Sequence, residues 1–199
     1  MVKIIAHRIN KVNELKDISK HFGIETDARD YKNHIVLSHD PHRSGEKLKS
    51  FIKKTKKTIF LNVKSGGLLD QILPLIKKKD VYFLDLSFSE INYLISKNLS
   101  KRIILRSSIL EKLDLENKYY KKMEWIWYDY FGYKKISKKD YLYFKKFKKK
   151  ICLVSPELLG KNKNHVFNYI KYLNKQKIKI DAVCTKNLYS YLWLNYYNY

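Results

Sequence analysis

Prolines and glycines are sparse in this chain. Three prolines and six glycines in 199 residues leave little material for linkers. No domain boundary and no internal repeat of helix-pair or propeller length is visible. Cysteine is scarcer still. Cys152 and Cys184 are too few for a disulfide framework and lack the spacing of a zinc site, so they read as reduced thiols of a cytoplasmic protein. No apolar run approaches the roughly 20 residues that cross a bilayer. The start, Met1 to Arg8, has too short an apolar stretch and the wrong flanks for a signal peptide. No glycine-rich dinucleotide fingerprint follows the first strand candidate.

What is present describes a globular protein. Hydrophobic residues make up 45% and aromatics 15%, enough for a core. The length suits one domain over residues 1–199. Acidic residues are in the minority, 19 against 42 Lys and Arg, for a net charge of +23. This reads either as attraction to polyanions or as a composition bias in which Lys, Asn, Ile and Tyr rise together. Residues 101–150 hold 16 Lys and Arg against 6 Asp and Glu. Within them Tyr141, Tyr143, Phe144 and Phe147 interleave with lysines. Such a pattern can stack on bases. It equally describes a helix with its apolar stripe inward and its lysines in water, and the second account is preferred. No nucleic-acid partner is expected. Peripheral contact with an anionic membrane, and a homodimer through the aromatic stretch Tyr189 to Tyr199, stay open.

Short apolar runs alternate with longer amphipathic ones. Strand candidates lie near residues 3–8, 23–28, 58–64, 81–87, 102–107, 124–130, 150–156 and 181–185. Ile35–Leu37 reads as an extension of the second strand, not a separate stave. Helical stripes lie between them: Leu15, Ile18 and Phe22, closed by Gly23; Leu48, Phe51 and Ile52; Leu69, Ile72, Leu73 and Ile76, shortened by Pro74; Ile91, Leu94 and Ile95. Ser108 with Glu111 reads as the capping box of a short helix. Later stripes are Tyr141, Phe144 and Phe147, then Val166, Phe167, Ile170 and Leu173, and an aromatic helix from Leu188. Eight strands in β-then-α order imply an α/β fold with a parallel sheet, a compact (β/α)8 TIM-type barrel. An open doubly wound sheet is the alternative.

In such barrels chemistry sits at the C-terminal strand ends, and polar residues fall there. The first strand ends in His7-Arg8. The second carries Glu25-Thr26-Asp27, and alternation puts both carboxylates on one face. Two such groups repel unless a cation sits between them, and a hard divalent ion with oxygen ligands fits. His39 precedes Asp40, and an imidazole there could carry a proton near neutral pH. The third strand ends in Asn62-Val63-Lys64. Asn62 offers a neutral oxygen ligand and Lys64 a charge for a phosphate oxygen. Later ends carry Asp85, then Arg106, suited to phosphate, Asp129, suited to a polyol hydroxyl, and Glu157.

The motifs His7-Arg8, Glu25-Thr26-Asp27, His39-Asp40 and Asn62-Val63-Lys64, in that order, resemble the glycerophosphodiester phosphodiesterase family, within the wider phosphatidylinositol-phospholipase-C-like superfamily. The likeness is tightest over residues 4–64, and Asp181 to Thr185 is similar to the family's last strand. The resemblance implies a barrel, one Mg2+ or Ca2+ ion, and hydrolysis of a small phosphodiester to a phosphomonoester and an alcohol. It assigns His7 and His39 as acid and base, Glu25 and Asp27 as metal ligands with Asn62 beside them, and Arg8 and Lys64 as stabilisers of charge on phosphorus. The mechanism it implies begins with attack by a neighbouring substrate hydroxyl and passes through a cyclic phosphate. Asn62 stands where the family usually has Glu, Ile9 stands at a usual Gly, and the insertion that commonly follows His-Asp is missing. The Asn-x-Lys form and the run Val154 to Leu159 are similar to a bacterial subgroup associated with surface-polysaccharide genes. Lipid or surface-polysaccharide metabolism is therefore the expected setting. The alternative is a barrel without catalysis that binds a phosphorylated glycan or a partner.

Overall fold

The computed structural model describes residues 2–196. Their strands, in chain order, are β1 (Lys3–Ala6), β2 (Gly23–Tyr31), β3 (His34–Leu37), β4 (Glu46–Lys47), β5 (Ile59–Val63), β6 (Val81–Leu84), β7 (Ile104–Ser107), β8 (Trp125–Tyr128), β9 (Lys150–Val154) and β10 (Ala182–Thr185). The α-helices are α1 (Leu48–Lys54), α2 (Leu69–Ile72), α3 (Phe88–Ser96), α4 (Lys138–Lys146), α5 (Lys163–Lys175) and α6 (Ser190–Leu194). All eight expected strands form, and the class is α/β. By contacts the chain divides into two compact units, residues 6–103 and residues 1–5 with 104–199.

In the unit of residues 6–103, β2 pairs in parallel with β5, and β5 with β6. Every residue of β5 is buried, as expected of an apolar strand covered on both faces. Leu48, Phe51 and Ile52 form the buried stripe of α1. Pro74 acts as expected: α2 stops at Ile72 and a 3-10 turn, Leu73–Ile76, replaces the helix. Ser87 caps α3 and shares a capping box with Glu90.

Three local expectations need correction. Ile35–Leu37 does not extend the second strand. It returns antiparallel along it, pairing Leu37 with Ala28 and His34 with Tyr31. The turn is made by Lys32 and Asn33, both left-handed at φ 44° and 62°, which suits the twist of a two-residue hairpin. The stripe of Leu15, Ile18 and Phe22 is not an α-helix. A 3-10 segment ends at Asp17, Ile18 turns extended, and Gly23 opens β2 instead of closing a helix. Burial of Ile18, 6% exposed, is reached by that extended turn. Ser108 does accept the N–H groups of Leu110 and Glu111, but no helix follows. Ile109 and Leu110 are exposed, so no apolar stripe holds one against a core.

The other unit has a parallel ladder β7–β8–β9–β10. Lys3 N–H donates to Asp181 O at 3.0 Å, tying β1 to the chain entering β10. Phe144 is the buried anchor of α4. Val166, Tyr169, Ile170 and Leu173 are the buried stripe of α5. Tyr169 takes the core place expected of Phe167, and an i, i+3, i+4, i+7 spacing results. The expected aromatic C-terminal helix is the short α6, and residues 197–199 of that stretch lie outside the described residues.

Candidate active site

The site is built at the strand ends of the unit of residues 6–103. β2 is buried from Gly23 to Ala28, so its alternating side chains are forced into protein on either face. Glu25 is 2% exposed and Asp27 0%. The parallel register sets Asp27 opposite Asn62. Asn62 Nδ2 donates to Glu25 Oε1 at 3.4 Å. The strand candidate at His7-Arg8 ends earlier, at Ala6, and the two residues form a turn. Arg8 is left-handed, φ 54°, a conformation costing about 1 kcal/mol for a residue with a Cβ. The turn aims the Arg8 N–H at Glu25 Oε2, 2.9 Å away, and Ile9 N–H at Glu25 O, also 2.9 Å. His7 Nε2 lies 3.8 Å from Glu25 Oε2.

Asn10 is a part of the site that residue types alone did not single out. Its Oδ1 accepts from Thr26 Oγ1 at 2.8 Å and from Asp27 N–H at 2.9 Å. Its Nδ2 donates to Asp27 Oδ2 at 3.0 Å. Asn10 therefore holds one oxygen of Asp27 and leaves the other. That other oxygen, Oδ1, is buried without a hydrogen bond, and so is Asn62 Oδ1. The Lys64 ammonium stands 3.6 Å from Asp27 Oδ1 and 3.8 Å from Asp85 Oδ2. Asp85, a polar strand-end residue in the sequence, joins them, and it too is left-handed, φ 60°. Strand-end position was the sequence signal for Asp85, whereas Asn10, beyond the turn that follows β1, carried none.

Electrostatics follow from this geometry. Burial pushes the Glu25 carboxyl up to about 8, and the neighbouring Asp27 pushes the same way. The Arg8 N–H, Lys64 and Asn62 oppose them and do not win. A lone buried carboxylate is costly, and protonation is the cheap escape. Two buried oxygens without donors, next to a carboxyl that resists ionising, form a donor set suited to a hard cation. Among the described residues no three His, Cys, Asp or Glu side chains cluster for a metal; a cation beside Glu25 and Asp27 would need the Asn62 amide as its third oxygen.

The structure thus brings together His7, the Arg8 backbone, Glu25, Asp27, Asn62 and Lys64. His39 stands apart from the carboxylates in its contacts. Its Nδ1 is 2.9 Å from Asp40 Oδ1, both side chains being solvent-accessible. Arg29 donates to its carbonyl at 3.1 Å. The hydrogen bond from His39 holds the Asp40 carboxyl below its usual range, helped by the charges of His39, Arg43 and Arg8. The Arg8 charge is thereby felt in the loop that carries His39.

The remaining expected residues belong to the other unit. Arg106 forms an ion pair and hydrogen bond with Asp129, which also accepts from Trp127 Nε1 at 3.2 Å and from Tyr130 N–H at 3.0 Å. Glu157, 2% exposed, sits in a 3-10 turn, Pro156–Leu159. It accepts from Ser155 Oγ, from Thr185 Oγ1 at 2.6 Å and from Lys186 N–H at 3.1 Å.

No protein-family model and no curated protein matches the chain in sequence. Solved structures do match in fold. A protein from Galdieria sulphuraria, assigned as a glycerophosphodiester phosphodiesterase, aligns over 100% of this chain and 98% of its own, with a TM-score of 0.71 at 16% identity. The chain has the glycerophosphodiester phosphodiesterase fold. A phosphodiesterase from Oleispira antarctica, solved with its product sn-glycerol-3-phosphate, aligns over 97% of both chains at 13% identity and a TM-score of 0.69. A glycerophosphoryl diester phosphodiesterase from Parabacteroides distasonis covers 92% of this chain and 82% of its own, at 11% identity and a TM-score of 0.64. No helix among the described residues is long and apolar enough to cross a membrane.

Proposed function

We propose that the protein is a metal-dependent phosphodiesterase that hydrolyses a small polyol or sugar phosphodiester to a phosphomonoester and an alcohol. One observation carries the reading. Asp27 Oδ1 and Asn62 Oδ1 are buried without hydrogen bonds beside Glu25, whose carboxyl is raised to about 8. Native interiors rarely leave buried oxygens unsatisfied without a purpose. Glu25, Asp27 and Asn62 would hold one Mg2+ or Ca2+ ion, which supplies positive charge to a phosphoryl oxygen. Asn10 fixes Asp27 through two hydrogen bonds and braces the neighbouring Thr26 through a third, and such outer partners orient metal ligands.

The chain's own groups then divide the work. Lys64 and Arg8 offset the negative charge that builds on phosphorus. In the first step a neighbouring hydroxyl of the substrate attacks phosphorus. One imidazole of the His7 and His39 pair accepts its proton, and the other gives a proton to the departing alcohol oxygen as the P–O bond breaks. In the second step the roles reverse: water adds to the cyclic phosphate, loses a proton to one imidazole, and the ring oxygen takes one from the other. Because His39 rests against Asp40 at the surface, its entry into this cycle needs its loop to turn toward bound substrate.

Turnover of a glycerophosphodiester by chelator-stripped protein, then by protein reloaded with Mg2+ or Ca2+, tests the proposal. Activity should vanish and return. His7→Ala and His39→Ala should each lower kcat by about 10² to 10⁴. Turnover indifferent to chelator would contradict the metal role.

A further inference from the structure

A second pocket lies wholly inside the unit that does not carry the carboxylate site. It is a cavity of about 640 Å³ between the C-terminal ends of β7 and β8 and the first turns of α4. That volume is of the size that holds a small organic ligand, far above what an ion needs. Alternation explains which side chains reach it. Arg106, Trp127 and Asp129 share one face and are tied together. Ser107 and Tyr128, register partners on neighbouring strands, therefore point to the opposite face, where the Tyr128 ring meets Phe144 of α4 edge-on at 6.2 Å.

Two observations mark this pocket as built for a polar ligand. Ser107 is 6% exposed and Tyr128 4%, yet neither hydroxyl has a hydrogen-bond partner among the described residues. Both residues line the cavity. Neither hydroxyl oxygen is itself buried and unsatisfied; both open onto the cavity they line, where the polar groups of an occupant can bond to them. The second observation is charge. Lys112, Lys134 and Lys139 line the same cavity against a single acid, Asp140. That acid is already engaged, accepting from Ser137 Oγ at 2.8 Å. Tyr143 and Phe144 give the cavity a ring-lined wall, and Tyr143 is fixed there by accepting the Leu115 N–H at 2.8 Å.

We infer that this pocket binds a phosphomonoester of a sugar or polyol, with the phosphate among Lys112, Lys134 and Lys139, and ligand hydroxyls on Ser107 Oγ and Tyr128 Oη. An inorganic anion alone would leave most of the volume and both hydroxyls unused. A neutral sugar would leave the lysines repelling one another. The inference does not depend on the diesterase reading, since the two sites share no residue. It also gives a use to part of the lysine excess of residues 101–150.

The test is a titration of Lys64→Ala protein, which removes a cation from the carboxylate site, followed by amide NMR shifts. The probes are a hexose 6-phosphate, the same hexose without phosphate, and inorganic phosphate. The hexose phosphate should shift the Ser107, Lys112 and Tyr128 amides saturably. The unphosphorylated hexose should be at least tenfold weaker, and inorganic phosphate weaker than the hexose phosphate. Tyr128→Phe with Ser107→Ala should weaken the hexose phosphate about tenfold or more, the loss of two hydrogen bonds. Lys112→Ala with Lys134→Ala, both surface changes that leave folding intact, should weaken hexose phosphate and inorganic phosphate alike by about tenfold or more. Equal affinity for hexose phosphate and inorganic phosphate would reduce the pocket to a patch of charge and overturn the inference. So would the absence of saturable shifts, or lysine variants that bind hexose phosphate as wild type does.

Discussion

A buried carboxyl raised to about 8 makes a sharp prediction for the metal-free protein. In the unfolded chain Glu25 ionises near its ordinary value of 4.5. Between about pH 4.5 and pH 8 the folded state therefore holds a proton that the unfolded state has lost. Stability falls with rising pH wherever the folded state binds more protons than the unfolded one. The Glu25 contribution is thus present in full below the lower value and is lost as pH rises through the higher one. Each pH unit inside the window is worth about 1.4 kcal/mol, so from pH 5 to pH 8 the loss is about 3 kcal/mol. Asp27 is one cause of the shift, so the proton belongs to the pair. Urea unfolding in EDTA, at several pH values, reads the slope. Other titrating groups contribute too, so the comparison is wild type against Glu25→Gln, which cannot ionise. Wild type should lose about 3 kcal/mol more than the variant between pH 5 and pH 8. Ca2+ or Mg2+ at pH 8 should return stability to wild type and not to the variant, because the ion replaces the proton as the partner of the carboxylate. Parallel pH profiles for the two proteins would refute the buried, raised carboxyl and with it the argument for a cation.

Asn10→Ala removes three hydrogen bonds from Thr26 and Asp27; calorimetric titration should show metal affinity down by about 10- to 100-fold. Asn62→Glu adds a carboxylate; it should tighten metal binding in the same titration and lower the thermal midpoint of the metal-free protein. Lys149, 2% exposed, donates its ammonium to the carbonyls of Tyr120, Lys121 and Met123; Lys149→Met should cost about 2–4 kcal/mol in urea unfolding, since three buried acceptors lose their donor. Glu157→Gln should lower the thermal midpoint and leave KM within about twofold, since its bonds run to Ser155, Thr185 and Lys186.

Strand order was legible because the strands are apolar runs separated by helical stripes, and burial on both faces writes itself into composition. Glu25 and Asp27 were legible through strand alternation alone. The hairpin at Lys32-Asn33 was not, because neither residue is the glycine that usually marks such a turn, and the strands' own pairing holds both in the left-handed region. The Ser108-to-Glu111 stretch shows the reverse failure: the local capping signal is real, and the bonds form, but Ile109 and Leu110 have no core to face. Asn10 was invisible for a further reason. An asparagine earns its role only by where a turn points it, and that turn is set by the left-handed Arg8.

Two buried glutamates, one in each unit, show why burial alone does not mark function. Glu157 and Glu25 are each 2% exposed. Glu157 gathers two hydroxyls and a backbone N–H, and Ser155 in turn accepts from Trp193 Nε1 at 2.8 Å. The oxygens of Glu157 are thus partnered from within the protein. Glu25 has one backbone N–H and one long amide contact, a like-charged neighbour in Asp27, and two oxygens nearby that nothing satisfies. A folded chain could relieve that imbalance with one more donor, as it does around Glu157. It instead places Lys64 within ion-pairing distance of Asp27 and Asp85, close enough to moderate the charge and too far to hydrogen-bond. The deficit left over is positive charge close to several oxygens at once, which the proposed divalent cation would supply through direct contact with Glu25, Asp27 and Asn62.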